Sequence, residues 1–158
     1  MNLVATSIAG VFVVETAVFR DHRGDFKRLF CSDELGAVFG PKRVVQINHS
    51  LTTKKGAIRG LHYQFGPYSE MKMIQCLRGR IWDVAIDLRR DSATFLHWFG
   101  TELGPELNRA LFSTKARSSP ALFILSEHAV NKTVSPTTAT NANKIFFFIV
   151  KIFKISDY

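Results

Sequence analysis

The chain has 158 residues, 46% of them apolar, and carries 14 phenylalanines. That length fits one globular domain with a sizeable core and excludes a multidomain array. The net charge of +8 invites a nucleic-acid reading, but Lys and Arg are scattered, with neither a zinc-finger spacing nor an RNP-like run, so basic balance alone does not carry it.

From the N-terminus, Val11-Phe12-Val13-Val14 is β-branched and aromatic and predicts a strand, and Asp21-His22-Arg23-Gly24 predicts a loop. Phe26 to Cys31 predicts another strand. Ser32 to Phe39 predicts a short helix with Ser32 as cap, acids in its first turn and Gly40-Pro41 as its stop. Strands follow over Val44 to Asn48, Ala57 to Gln64 and Met71 to Leu77. Arg78-Gly79 predicts a hairpin turn into a strand over Ile81 to Leu88, and Thr94 to Leu103 alternates as one more. Six or more strands with one minor helix predict an all-β sandwich or barrel of jelly-roll type.

The character changes after Phe112. Ser113 to Ser119 is polar without period, and Lys132 to Lys144 is loop-like. Asn143 to Ile155 is built almost wholly of Lys, Ile, Phe, Asn and Val, a composition of high β-propensity that invites aggregation unless buried. Residues 1–125 therefore read as one domain and 126–158 as a divergent tail. The apolar run Ile145 to Val150 is too short to span a bilayer, no signal peptide is visible, and the reading is a cytoplasmic protein without membrane attachment. Cys31 and Cys76 stand far apart without a C-x-x-C spacing and read as reduced thiols.

Within the Ala57–Gln64 stretch, strand alternation puts Ile58, Gly60, His62 and Gln64 on one face and Arg59, Leu61 and Tyr63 on the other. An inward His62 suits a general base near neutral pH, and equally a satisfied core histidine. Lys72 favours the first: an inward ammonium is costly unless it meets an anion or a developing enolate oxygen. Together the pair describes deprotonation at a carbon next to a ketone. Gln46 and Asn48, at i and i+2, offer two amides on one strand face for a ring carbonyl or sugar hydroxyls. Arg23 offers a bidentate grip on phosphate, and Phe26 either stacks on a base or sits in the core. Asp83 and Asp87, also on one face, could orient His62 or Lys72 or face solvent. A metal site is disfavoured, because Gln64 stands where a metal-binding cupin carries its second histidine and an amide oxygen is a poor ligand for iron or zinc.

These residues lie in motifs that occur in order: Asp21-His22-Arg23-Gly24-Asp25-Phe26, Gln46-Ile47-Asn48-His49-Ser50, Gly56 to Gln64, Glu70-Met71-Lys72, Gly79 to Arg89 and Glu102 to Phe112. So ordered, the chain resembles the dTDP-4-dehydrorhamnose 3,5-epimerase family, dTDP-sugar epimerases built on a cupin jelly roll, over about residues 8–112. The resemblance implies His62 as catalytic base and Lys72 as enolate-stabilising cation. It implies Arg23, Gln46, Asn48 and Arg59 as substrate-binding residues, with Phe26 near the nucleotide. It further implies epimerisation of a dTDP-4-keto-6-deoxyhexose without metal or other cofactor, by a homodimer.

The chain departs from the family pattern at Arg28, where many members carry Glu, and more deeply after Phe112. The family's Pro-x-Gly-x-Ala-His-Gly-Phe segment is replaced by Ser113 to Leu125, and the pattern returns only at Leu125-Ser126-Glu127-His128-Ala129. The family's tyrosine proton donor has no match: position 132 is Lys, and the only later tyrosine is Tyr158. The carboxylate partner of the base is unmatched too. Two readings compete with the enzyme: a non-catalytic dTDP-sugar binder or frame-shifted relic, and a metal-dependent cupin oxygenase.

Overall fold

A computed structural model describes residues 1–54, 56–64 and 70–114, together with the backbone of two later strands, 122–124 and 146–153. The molecule is built from strands: β1 Asn2–Ala5, β2 Val11–Glu15, β3 Val18–Asp21, β4 Gly24–Lys27, β5 Gln46–Thr52, β6 Met71–Arg78, β7 Ile81–Asp87, β8 Trp98–Leu103, β9 Arg109–Ser113, β10 Leu122–Ile124 and β11 Phe146–Phe153. Among the described residues a short α-helix, α1, covers Gly36–Phe39, and one 3-10 turn covers Pro105–Leu107. Six strands form one sheet in the order β1-β2-β9-β6-β11-β5, three form a second in the order β10-β7-β8, and β3 and β4 form a separate hairpin. This is the all-β jelly-roll class the composition predicts.

The large sheet is buried on both faces along β2, β9 and β6, while β1 and β5 are largely exposed. On its inner face Val11, Ile74, Cys76 and Leu111 pack with Ile81, Ala85 and Leu103 of the small sheet. On the outer face Val14, Met71, Met73, Ala110 and Phe112 are covered by Leu35 and Phe39. Phe39 stacks on Phe112 with ring centroids 5.4 Å apart, and Phe30 meets Phe39 edge-on at 5.3 Å. Period-2 alternation thus sorts each strand between two cores, which is why β6 reads as a nearly continuous apolar run.

Several elements differ from the predicted ones, each for a local reason. The helix shrinks to one turn because Ser32 does not cap it; its hydroxyl turns to Asp33 at 3.4 Å. Glu34 is drawn away to the N-terminal ammonium of Met1 and to Arg28. Gly40, at φ 56°, does end the helix. Ala57 to Gln64 is not a strand. Gly56 and Gly60 adopt φ of 74° and 126°, which interrupts the extended backbone, and only His62 makes an isolated bridge. Arg78-Gly79 is a turn but not a hairpin: β6 and β7 belong to different sheets, and Gly79 at φ 75° carries the chain from one to the other. Residues 91–96 form turns, so β8 begins only at Trp98. Phe26 to Cys31 is extended only to Lys27.

Asp87 explains the turn at 91–96. Its carboxylate accepts from Arg89 Nε and Nη2 (2.7 Å each), Ser92 Oγ (2.6 Å) and Thr94 Oγ1 (2.7 Å), and from the Arg89 backbone N–H at 3.0 Å. Arg89 Nη2 also donates to Ala9 O at 2.7 Å, tying the knot to the N-terminal segment. Burial alone would raise the Asp87 pKa, but these donors outweigh it and hold the carboxyl well below the usual aspartate range. Asp87 therefore neither orients His62 or Lys72 nor faces solvent.

Candidate active site

Lys72 is the second residue of β6, on the strand face that also carries Ile74 and Cys76 and hence on the inner side of the large sheet. Its side chain is 13% exposed, and its Nζ lies 2.6 Å from Oε1 of Glu70, itself 9% exposed. Desolvation raises the Glu70 pKa above its ordinary value, and Lys72 pulls it back only in part, through its charge and its hydrogen bond.

The strand register assembles amides beside this pair. Position 147 of β11 pairs with Lys72 on one side and with Gln46 on the other, and Ser113 of β9 pairs with Lys72 from the far side. Gln46, Lys72 and Ser113 thus stand in one row of the same face, Gln46 about 10 Å from Lys72 across one intervening strand. Asn48 occupies the next inward position of β5, and Gln46 Nε2 donates to its Oδ1 at 2.9 Å. The predicted sharing of one face by Gln46 and Asn48 holds.

Arg59 and His62 lie in the connection between β5 and β6. Those two strands both run parallel to β11, so the connection crosses from one end of the sheet to the other and delivers the chain to Glu70 and Lys72. Both side chains are half-buried and engaged with neighbours. Because the segment is not a strand, the face assignment drawn from alternation does not apply to it.

Arg23 and Phe26 sit apart, on the β3–β4 hairpin. His22 and Arg23 form its two-residue turn, with Asp21 opposite Gly24 and Phe19 opposite Phe26. Both phenylalanines are 67% exposed, so Phe26 is not a core residue. An open hollow of about 510 Å³ is lined by Phe19, Arg20, Asp21, Arg23 and Phe26. Arg23 Nη2 lies 2.6 Å from Asp21 Oδ2; this hydrogen bond lowers the Asp21 pKa and raises that of Arg23. A planar aromatic pair beside a guanidinium can stack a base and hold a phosphate. At the foot of the hairpin Lys27 Nζ donates to Pro105 O at 2.5 Å and to Asn108 Oδ1 at 3.2 Å, anchoring it to the body.

Sequence reasoning assigns Glu70 no role beside Lys72, although the opposite charges two residues apart in Glu70-Met71-Lys72 were the available signal. Arg28, the departure from the family pattern, pairs with Glu34. Among the described residues no group of three or more His, Cys, Asp or Glu is arranged to hold a metal ion. No helix among them is long and apolar enough to cross a membrane. His128, Lys132 and Tyr158 lie outside the described residues.

Comparison with known proteins gives a consistent picture. A family model described as dTDP-4-dehydrorhamnose 3,5-epimerase matches residues 5–131. The chain is 42% identical over 113 residues to a dTDP-4-dehydrorhamnose 3,5-epimerase of Shigella flexneri, covering 71% of this chain and 62% of that protein. It spans about three-fifths of the length of the curated relatives it matches. The crystal structure of dTDP-4-dehydrorhamnose 3,5-epimerase from Bacillus anthracis with TDP and PPi bound superposes with a TM-score of 0.66 at 30% identity, over 82% of this chain and 79% of that one. A Legionella pneumophila dTDP-6-deoxy-D-glucose-3,5-epimerase in complex with dTDP-4-keto-L-rhamnose gives 0.64 at 28%, over 81% and 66%.

Proposed function

Because this chain belongs to the dTDP-4-dehydrorhamnose 3,5-epimerase family, we propose that it epimerises a dTDP-4-keto-6-deoxyhexose by proton abstraction next to the ketone. The observation that carries the reading is the inward Lys72, almost out of solvent, on one sheet face with Gln46 and Asn48. An ammonium there supplies a localised positive charge where an enolate oxygen develops, at a position nearly out of water, which strengthens its electrostatic effect.

In this mechanism the imidazole of His62 takes the proton from the carbon next to C4. The C–H electron pair becomes the enolate double bond, and negative charge collects on the C4 oxygen beside Lys72. Gln46, Asn48 and Arg59 hold the sugar and pyrophosphate, while Arg23 and Phe26 hold the nucleotide end. Reprotonation of the same carbon from the opposite face, by a proton drawn from water because Lys132 stands where the family carries its tyrosine donor, restores the ketone with inverted configuration. We assign residues 1–125 as the site-bearing domain, and the working form as a cytoplasmic homodimer free of nucleic acid and membrane.

Solvent deuterium exchange into the dTDP-4-keto sugar tests the assignment. We expect exchange in the parent chain and a loss of at least about 100-fold in His62→Ala and in Lys72→Met. Exchange that survives both substitutions would refute these roles. The competing reading, a binder without turnover, is favoured by Lys132 standing where the family carries its tyrosine donor. It predicts dTDP binding with no exchange at all.

A further inference from the structure

The Glu70–Lys72 pair is expensive. Both side chains are nearly excluded from water, at 9% and 13% exposure, and their 2.6 Å contact does not repay what the carboxylate loses on burial. A pair of apolar side chains would fill the same place at less cost to stability. What the pair does provide is a fixed ammonium. Lys72 has a flexible four-carbon stem, and a carboxylate two residues earlier, just before β6 begins, pins its end.

The surroundings supply few other anions to do this. On the large sheet the register neighbours of Lys72 are Ser113 and position 147, a phenylalanine, with Gln46 beyond. Across the interior β7 carries Asp83 and Asp87, and Asp87 is taken up by Arg89, Ser92 and Thr94. The incoming connection carries the cationic Arg59 and the titratable His62.

We propose that Glu70 is a positioning residue for Lys72: its carboxylate holds the ammonium at the inner face of the sheet until a substrate oxyanion takes its place. This rests on the reading of Lys72 as the enolate-stabilising cation. An incoming oxyanion competes for the same three N–H donors, so the carboxylate both aims the ammonium and is relaxed away from it as charge develops on the substrate.

Two measurements on the full chain test this separately. The first is the titration of the Glu70 side-chain carboxyl by ¹³C NMR. Its midpoint should lie above the ordinary glutamate value of about 4.3 and move higher still in Lys72→Met. An ordinary midpoint that Lys72→Met does not move overturns the pairing. The second is deuterium exchange into the dTDP-4-keto sugar. Glu70→Gln should lower kcat about 10–100-fold with KM unchanged, and Glu70→Asp should recover part of the loss. A parent-like kcat in Glu70→Gln overturns the positioning role. If Glu70→Gln shows no cooperative melt, Glu70→Asp is read alone: a lowered kcat is expected, and a parent-like kcat in a variant whose carboxyl titration no longer responds to Lys72→Met overturns the proposal. A parent chain without exchange refutes the epimerase reading, while the carboxyl titration still decides the pair.

Discussion

Two buried carboxylates place opposite signs on the pH dependence of this molecule. Asp87 sits among donors that depress its pKa, so its stabilisation is complete above the unfolded aspartate value of about 3.9 and is lost as pH falls toward the folded one. Glu70 is raised by burial, so its contribution runs the other way, and stability declines as pH climbs from the ordinary glutamate value through the raised one. Asp87→Asn should cost about 2–4 kcal/mol at neutral pH, because it leaves the half-buried Arg89, Ser92 and Thr94 donors without their buried anion. Urea unfolding across pH checks this: the gap between parent and variant should be constant above about pH 5 and narrow progressively as pH falls below about 4. A gap that stays open in acid would assign the loss to packing instead. In the sequence, Asp83 and Asp87 looked equivalent at i and i+4. They differ because Arg89, Ser92 and Thr94 follow only Asp87 at the distances a tight turn can close.

At the level of elements, strands with strong β-branched or alternating patterns were legible. β2, β6 and β7 fall within a residue or two of where Val11, Met71 and Ile81 place their starts. What periodicity could not convey was pairing. Gly79 looks the same whether a turn closes a hairpin or carries the chain to another sheet, because the sheet partners lie tens of residues away. The Ala57–Gln64 stretch failed for a different reason: alternation counts Gly60 as one strand position, whereas its positive φ, with that of Gly56 before it, breaks the strand. The site was therefore legible as residue types and as a face shared by Gln46 and Asn48, but not as the loop geometry of Arg59 and His62. Close approach between elements is equally hidden from pattern. A Cβ on Gly100 of β8 would stand 2.6 Å from Cζ2 of the Trp82 indole on β7. That indole is 63% exposed and free to swing outward, so Gly100→Val should cost only about 1–3 kcal/mol and red-shift the Trp82 emission, measured in a Trp98→Phe background. An unshifted spectrum would mean that the strand moves instead of the ring.

For the molecule as a whole, β11 is the strand to watch. Every other described pairing in the large sheet is antiparallel, but β11 runs parallel to both β5 and β6 and separates them. The row from Gln46 to Lys72 is thus spaced by residues about 75 to 100 positions further along the chain. Such pairing has high contact order, and its loop-closure entropy must be met before the contacts repay it. A growing chain emerging from the ribosome would accordingly leave the facing edges of β5 and β6 unpaired until β11 arrives. A truncation ending at residue 145 should bind a hydrophobic dye and lose cooperative unfolding, and a parent-like melt would show that the remaining strands close without it. In synthesis, then, the row that joins Gln46 to Lys72 is complete only once β11 has been made.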